Sequence, residues 1–363
     1  MNVSRYQKRE TLKFEIEFIT PAFLGGADGD AEVRTAPFKS LLRRWWRIVK
    51  SDLKPEELWK QESRLFGSTE KDPDSKDGKS FGRSRIELKI VDKTRVRFLE
   101  VNTVEKDDIK FGNVLNPSTG CFVEAASYLG YGVIEMKKIN TPDGRPKRIA
   151  KITRKCVQPN SRLTLSIDIP SEYKEDMIQT LYYIDLFGTI GSKSKNGFGS
   201  IAVKPIGFDF KKCAPRYENI EDVMNNGKHY PNSLVLDDYG SVMIWQTGTS
   251  FDKYESAMQF LCKKYMNLKC DLKNEEYGWQ NLFGTAGEGK DKLRLPSLLT
   301  LKVIKKSDRE YIGLFIFTPY DVDGWENGWK DLFEAMDFLC ESFGKLENDG
   351  NVKKINYWRE NND

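Results

Sequence analysis

Apolar and polar residues alternate along residues 11–19 (TLKFEIEFI) before Thr20 and Pro21 interrupt the pattern. The apolar members of this run are Leu12, Phe14, Ile16 and Phe18. A period of two is typical of a half-buried β-strand. The same reasoning predicts strands over residues 83–91, 162–169 and 198–208.

A helical period replaces the alternation in residues 38–50 (FKSLLRRWWRIVK). One face of this helix is apolar: Phe38, Leu41, Leu42, Trp45, Ile48 and Val49. The opposite face is cationic: Lys39, Arg43, Arg47 and Lys50. The segment is therefore predicted to be an amphipathic helix with a basic stripe. A second helix is predicted from Ser171 to about Phe187, with Gly188 as its C-cap.

The second half repeats this order of elements. An apolar segment at 233–246 precedes a predicted helix at 252–269, strands at 298–305 and 311–318, a helix at 325–343 and a strand at 352–358. A short motif also occurs in both halves. Leu65-Phe66-Gly67-Ser68 is followed by a glycine/lysine loop and a predicted strand, and Leu282-Phe283-Gly284-Thr285 is followed by the same two features. We therefore expect an α+β fold with two ferredoxin-like (RRM-like) βαββαβ domains in tandem. The first would span residues 1–210, with an insertion around 100–160, and the second residues 211–363.

Composition excludes several classes of protein. No apolar run approaches the ~18 residues of a membrane span, and the first residues lack the apolar stretch of a signal peptide, so we expect a cytoplasmic protein. The six cysteines form no C-x2-C pair, which favours reduced core thiols, and His229 is the only histidine. Residues 284–291 match G-x4-G-K, but Asp291 stands where a P-loop has Ser or Thr. We expect neither a metal nor a cofactor.

Charge is distributed unevenly although the whole chain carries only +4. Residues 1–200 hold 36 lysines and arginines against 28 acids (+8), and residues 201–363 hold 22 against 26 (−4). This asymmetry favours a polyanion facing the first half. On the basic helix the candidate RNA-binding residues are Arg34, Lys39, Arg43, Arg44, Arg47 and Trp46, where Trp46 either packs in the core or stacks on a base. The alternative is a cationic face that is simply hydrated.

Two loops and one cation cluster add candidate phosphate contacts. Residues 188–200 (GTIGSKSKNGFGS) offer Lys193 and Lys195 among glycines, and a second loop offers Lys290 and Arg294. The glycines expected to let the backbone approach a ligand are Gly25, Gly26, Gly191, Gly197 and Gly199. Their alternative role is to serve the turns of the chain itself. Six cations between Arg145 and Lys155, without an acid among them, suit non-specific phosphate binding or a surface loop.

Two further functions stay open at this point. Asp28 and Asp30 lie beside a glycine hinge and allow a metal-dependent endoribonuclease, although Asp-Gly pairs are more typical of solvated turns. A protein-interaction module is favoured by the acidic second half and by Trp325, Trp329, Phe333 and Met336 at helical spacing, a stripe that also suits a core.

The order of several motifs resembles one known family. These motifs are Thr20-Pro21, Gly25-Gly26-Ala27-Asp28, Glu32-Val33-Arg34, residues 38–47 (FKSLLRRWWR), Glu62, Leu65-Phe66-Gly67-Ser68, the loop 188–200 and Arg294-Leu295-Pro296-Ser297. They resemble the RAMP superfamily and, within it, the Cmr-one subunits of type III-B CRISPR RNA-targeting effector complexes. The resemblance implies two ferredoxin-like domains, a place in a multisubunit ribonucleoprotein, contact with guide RNA (crRNA) and target RNA, and a role without catalysis.

Overall fold

The computed structural model describes residues 8–26, 31–101, 108–140, 146–215, 218–219, 235–236, 243–273, 283, 297–318 and 329–355. The helices are α1 (Thr35–Val49), α2 (Pro55–Phe66), α3 (Ala125–Leu129), α4 (Lys174–Phe187), α5 (Tyr254–Lys273) and α6 (Trp329–Asn348). The strands as far as the end of the first half are β1 (Arg9–Phe18), β2 (Ser68–Lys71), β3 (Ser80–Gly82), β4 (Glu87–Asp92), β5 (Phe98–Leu99), β6 (Asn113–Leu115), β7 (Phe122–Glu124), β8 (Ile134–Asn140), β9 (Pro146–Ile152), β10 (Cys156–Val157), β11 (Arg162–Pro170) and β12 (Ile201–Ile206). The later strands are β13 (Glu218–Asn219), β14 (Val235–Leu236), β15 (Ile244–Thr247), β16 (Leu299–Ser307), β17 (Glu310–Phe317) and β18 (Val352–Lys354).

A four-stranded antiparallel sheet in the order β12-β1-β11-β4 organises the first half. Alternation in β1 places Leu12, Phe14 and Ile16 in the core, and their cross-strand partners on β11 are buried as well. Helices α1 and α4 pack together over this core, where the ring of Trp45 stacks on Phe187 at a centroid distance of 6.0 Å. Burial of these large apolar side chains is the main source of stability here.

The second half forms a four-stranded antiparallel sheet in the order β16-β17-β15-β18. Helix α5 packs against β16 and β17, and α6 supplies Phe343, whose ring stacks on Trp245 at 4.1 Å. The two sheets have the same spatial order of strands. In the first sheet β1 lies between β12 and β11, and in the second sheet β15 lies between β18 and β17. In both sheets the first strand in sequence therefore lies between the last strand and the third. The chain thus has the mixed α+β fold, with antiparallel sheets, that the sequence predicted.

The two sheets share a buried junction. Ile244, Ile312 and Ile316 of the second sheet belong to the same apolar cluster as the core of the first half. Lys302 of β16 is buried at this junction, and its Nζ donates hydrogen bonds to the main-chain oxygens of Ile184 (3.2 Å) and Asp185 (2.5 Å) near the end of α4. Burial lowers the pKa of Lys302 to about 7, although the negative charge of Asp185 acts to raise it.

An inserted region between β4 and β11 contains two hairpins, β6–β7 and β8–β9, and the short helix α3. It packs against α5 of the second half. Glu124 fixes this region because its carboxylate accepts hydrogen bonds from the main-chain N–H groups of Phe111, Gly112 and Ser127. Burial raises the pKa of Glu124, while these hydrogen bonds oppose the rise.

Comparison with the sequence predictions shows where periodicity suffices. The strands and helices predicted in both sheets are confirmed within a few residues, whereas α2 and the hairpins of the insertion were not predicted. The cysteines are free thiols, but Cys121 is exposed and does not belong to the core. Residues 220–234, which include His229 and follow the predicted domain boundary, lie outside the described residues. The boundary itself stays a prediction. No helix in the described part of the chain is long and apolar enough to cross a bilayer.

Candidate nucleic-acid interface

Helix α1 presents the basic surface that the sequence predicted. Its apolar side chains from Phe38 to Val49 are buried. Arg34 precedes the helix with extended backbone (φ −134°), makes no side-chain cap and is exposed, and the first turn has no acid. Cationic and solvent-accessible groups therefore surround an uncapped helix start. We call Lys39, Arg43, Arg44 and Arg47 the basic helix surface.

A buried carboxylate from α2 changes the charge of this surface. Glu62 accepts hydrogen bonds from both Arg43 and Arg47, and its side chain is only 5% exposed while the two arginines remain about one-third exposed. The sequence interpretation left open whether the cations of this stripe bind an external anion or are simply hydrated. That interpretation was incomplete, because one intramolecular carboxylate already offsets part of their charge. Lys50 likewise pairs with Asp176 at 3.2 Å.

The proposed base-stacking role of Trp46 is wrong for this structure. The Trp46 side chain is fully buried and meets the ring of Phe66 edge to face at 5.9 Å. A buried indole offers no open π-face to a nucleotide. Trp46 therefore packs in the core, which is one of the two roles that its position at the face boundary allowed.

Lys39 keeps partial exposure beside Arg43. Partial burial, and then the charge of Arg43, lower the pKa of Lys39 below its ordinary value of 10.5. An anion bound at this point relieves the repulsion between the two cations. Lys39 therefore stays a candidate phosphate contact on α1.

The glycine-rich loop 188–200 connects three parts of the molecule. The Thr20 hydroxyl donates to Gly197 O (2.7 Å) and accepts from Ser200 N (2.9 Å), which joins the loop to the end of β1. The Asn196 side chain donates to Leu129 O of the insertion (2.7 Å), and Leu301 N of β16 donates to Lys195 O (2.8 Å). The main chain of the loop is thus held in place on several sides.

The glycines of this loop serve internal packing, which corrects part of the sequence interpretation. A Cβ on Gly199 would lie 1.8 Å from Ile190 O, and one on Gly197 would lie 2.7 Å from the sulfur of Met258. Gly191 likewise faces Phe23 O at 2.7 Å, and all three have positive φ. Gly197 and Gly199 are buried, so they do not offer their backbone to a ligand, whereas Gly191 is exposed and its approach to a ligand stays a prediction. Gly25 and Gly26 are half-buried, and a Cβ on Gly25 would meet open space.

The same loop brings Lys195 next to α1. Desolvation, and then the charge of Arg44, lower the pKa of Lys195 well below 10.5. Lys193 lies two residues earlier, in the left-handed region at φ +59°, and is half-buried. The fold thus places two predicted cations, Arg44 and Lys195, within electrostatic reach of each other.

Arg44 also lines a narrow crevice where the two halves meet, and this crevice has no room for a water-sized molecule. The other lining residues are Trp45, Phe187, Thr189, Thr300, Ile316 and Thr318. The Thr300 hydroxyl is buried and has no hydrogen-bond partner among the described residues. We call Arg44, Thr189, Thr300 and Thr318 the junction pocket. Sequence reasoning missed these threonines because only the packing of β16 and β17 against α1 and α4 brings them together.

Several predicted residues lie outside the described part of the chain or away from α1 and the loop 188–200. Asp28, Asp30, Lys290, Arg294, Arg145 and the segment 284–291 lie outside the described residues, as does Trp325, and so do the side chains of Trp329, Phe333 and Met336. Lys147 and Arg148 are exposed on β9. In contrast, Lys151 is buried and pairs with Asp108 at 2.8 Å, and Lys155 pairs with Glu100 at 3.0 Å. The cluster between Arg145 and Lys155 therefore has acidic partners elsewhere in the chain. In the described ranges, no three side chains among His, Cys, Asp and Glu are grouped to hold a metal ion.

Comparison with known proteins gave one family match and several structural neighbours. The model of the RAMP superfamily matches residues 15–202, which is just over half of the chain. No curated protein sequence matches. Cmr1 from Pyrococcus furiosus, in its apo form, is 18% identical with a TM-score of 0.48, covering 86% of this chain and 89% of that one. A chain of a type III-B Cmr-beta complex bound to cognate target RNA and AMPPnP is 13% identical with a TM-score of 0.49, covering 94% and 99%. A chain of a second Cmr-beta complex with cognate target RNA is 14% identical with a TM-score of 0.43, covering 92% and 99%.

Proposed function

The chain belongs to the RAMP superfamily, and on that premise we propose that it is a non-catalytic RNA-binding subunit of a cytoplasmic type III-B CRISPR effector ribonucleoprotein. In this role it contacts the backbone of guide RNA (crRNA) and of target RNA, and it assembles with the other subunits of a Cmr complex. Its motifs between residues 20 and 68 resemble the Cmr-one subunits within the superfamily.

One observation supports RNA backbone binding most directly. Arg44 of α1 lines the junction pocket, and its positive charge lies close enough to Lys195 of the glycine-rich loop to lower the pKa of that lysine. Among the described residues, no carboxylate lines this pocket. A phosphate that lies between these two cations relieves their repulsion and is stabilised by both charges.

The order of strands supports tandem ferredoxin-like domains. Each sheet arises from a β-α-β-β-α-β succession when the insertion and the short hairpins are set aside, and both sheets have the same spatial order. Duplication of one such unit accounts for the repeat of Leu-Phe-Gly in the sequence. In this arrangement the junction pocket lies between the two domains.

Binding to RNA is tested by fluorescence anisotropy with a labelled single-stranded RNA over a series of salt concentrations. We expect Arg44→Gln together with Lys195→Gln to lower affinity about tenfold at roughly 0.1 M salt and to reduce the salt slope by ~0.7 for each phosphate that the protein no longer neutralises. The matched control is Lys89→Gln, an exposed lysine of β4 that pairs with Glu87. An unchanged slope in the double variant would contradict the proposed contact.

The absence of catalysis needs a separate test, since Asp28 and Asp30 are the acids that an endoribonuclease role would use. Incubation of the labelled RNA with the protein and Mg²⁺ or Mn²⁺ is expected to leave the RNA intact. Cleavage that disappears in Asp28→Ala/Asp30→Ala would establish the nuclease instead, because loss of a carboxylate ligand removes metal-assisted hydrolysis.

A further inference from the structure

The inserted region and helix α5 enclose a cavity of about 390 Å³ that is open to solvent. None of its residues belongs to the basic helix surface or the junction pocket. The lining consists of three aromatic residues, two aliphatic residues, three neutral polar residues and one cation: Phe122, Phe251, Phe260, Val114, Leu115, Asn113, Ser256, Gln259 and Lys263. Its volume lies near the lower end of the ~300–1,000 Å³ that small-ligand sites occupy.

The wall of this cavity on the α5 side is fixed by the fold. Gln259 Nε2 donates a hydrogen bond to Asn113 O at 2.8 Å, which ties α5 to the hairpin β6–β7. Gly112 at the adjoining turn has φ +98°, a backbone conformation that favours glycine. The rings of Phe251 and Phe260 pack together at a centroid distance of 5.5 Å. The cavity is therefore formed before any ligand arrives.

The hairpin side of the cavity presents apolar groups to water. Phe122 is 72% exposed, and Leu115, its direct cross-strand partner, is 48% exposed. Side chains of directly opposed residues lie on the same face of a hairpin. An aromatic ring left in water at the mouth of a cavity gains free energy when a flat apolar surface covers it.

The chemistry of the lining points to the nature of the ligand. Aromatic rings stack on nucleobases, amide side chains reach base edges, and an exposed lysine attracts a phosphate. In the part of the chain that the structure describes, no acid lines the cavity.

We propose that this cavity binds one unstacked base of single-stranded RNA. Phe122 stacks on the base, the side chains of Asn113 and Gln259 lie near its edge, and Lys263 pairs with an adjacent phosphate. This inference rests on the proposed RNA-binding function and adds a base contact to the phosphate contacts described above. Since every base has a π-face, the site accepts different sequences.

The test compares two substitutions at one position in the full chain. Phe122→Leu keeps an apolar side chain and removes the aromatic face, whereas Phe122→Trp keeps the face. Because Phe122 is largely exposed, neither change disturbs the core. With a labelled single-stranded RNA, we expect Phe122→Leu to lose roughly fivefold or more in affinity at an unchanged salt slope, and Phe122→Trp to retain affinity.

Photocrosslinking locates the contact. RNA carrying 4-thiouridine, irradiated with the wild-type protein, is expected to give adducts on peptides that contain residues 113–122 or 251–263, and Phe122→Leu should weaken them. Unchanged affinity in Phe122→Leu, with adducts confined to α1 and the loop 188–200, overturns the base site and leaves the proposed function intact. A third variant, Phe122→Asp, is tested in the assembled complex. If it releases a partner subunit while RNA affinity stays unchanged, the cavity is a protein-docking site and the base site is overturned.

A final arm separates the two proposals if the wild-type protein fails to bind RNA, a result that contradicts the proposed function. Uridine 5′-monophosphate and adenosine 5′-monophosphate are then titrated alone and followed by saturation-transfer NMR. Transfer that is present in the wild type and lost in Phe122→Leu supports the base site. Equal transfer in both proteins, or none in the wild type, overturns it.

Discussion

The role of single charged residues on α1 depends on partners that lie far away in sequence. Arg43 and Arg47 share the buried carboxylate of Glu62, so they contribute less positive charge than their number indicates. Arg44 instead lines the junction pocket, and its charge lowers the pKa of Lys195. Three arginines within one helix therefore have two different electrostatic environments, and only the second brings two cations together near a buried hydroxyl.

Removing the Glu62 charge is expected to separate stability from RNA binding. Glu62→Gln leaves Arg43 and Arg47 without their shared carboxylate, so the free energy of unfolding should fall by about 1–3 kcal/mol, reduced from the fully buried case by the exposure of the arginines. The freed charge should raise RNA affinity and steepen the salt slope by up to ~0.7. Urea unfolding and anisotropy measure the two effects. Glu57→Gln, on the same helix and bonded to Gln61, is the control, and a weaker affinity in Glu62→Gln would refute this assignment.

Lys195 is expected to make RNA binding dependent on pH. Burial and Arg44 lower its pKa in the free protein, and a bound phosphate raises it again, so binding takes up a proton. RNA affinity is then highest below the pKa that Lys195 has in the free protein. It declines as pH rises through the pKa that Lys195 has in the complex. Anisotropy titrations between about pH 7 and 10 should show a steeper decline for wild type than for Lys195→Gln. Parallel curves would mean that no phosphate reaches this lysine.

At the scale of elements, the glycine-rich loop shows how a correct motif leads to an incomplete role. The sequence indicated that residues 188–200 need unusual backbone freedom, and the positive φ of Gly191, Gly197 and Gly199 bears this out. The reason for that freedom was not accessible from the loop alone. The atoms that exclude a Cβ belong to Ile190, Phe23 and Met258, and Met258 lies about sixty positions away on α5.

Gly199→Ala is expected to destabilise the protein strongly. The new Cβ would meet Ile190 O at 1.8 Å with φ at +63°, so the two ends of the loop 188–200 must move apart. We expect the free energy of unfolding to fall by at least about 2 kcal/mol. Gly25→Ala is the matched control, because nothing lies within 4 Å of its Cβ and the change should stay within ~0.5 kcal/mol. Equal urea midpoints for the two variants would show that the loop relaxes freely.

At the scale of the whole molecule, predictability follows the range of the interactions involved. Periods of two and 3.6 located the strands and helices of both sheets because each element buries one face locally. The burial of Trp46, the pairing of Glu62 and the junction pocket depend on how α1, α2 and the second sheet pack. The same limit applies to the cavity between the hairpin β6–β7 and α5, whose walls come from residues 113–122 and 251–263. The sequence could therefore indicate which residues were candidates for a site, but not which of them the fold brings together.

Lys302 gives the junction between the two halves a dependence on pH. Its pKa is about 7 in the folded protein and near 10.5 when the chain unfolds, so between these values the unfolded state binds more protons. The free-energy cost of burying the Lys302 charge has its full value below pH 7 and disappears as pH rises toward 10.5. Stability contributed at this site therefore increases with pH, by at most about 1.4 kcal/mol per pH unit.

Urea unfolding of wild type and Lys302→Met at pH 7.5, 8.5 and 9.5 measures this contribution. The free energy of unfolding of wild type should rise relative to Lys302→Met at each step, while the exposed control Lys353→Met should follow wild type. Below pH 7 the difference between wild type and Lys302→Met should become constant, because both folded and unfolded chains then hold the proton. A difference that stays flat from pH 7.5 to 9.5 would place the ammonium group in contact with water. The two halves would then be joined by apolar contacts and not by a desolvated lysine bound to the end of α4.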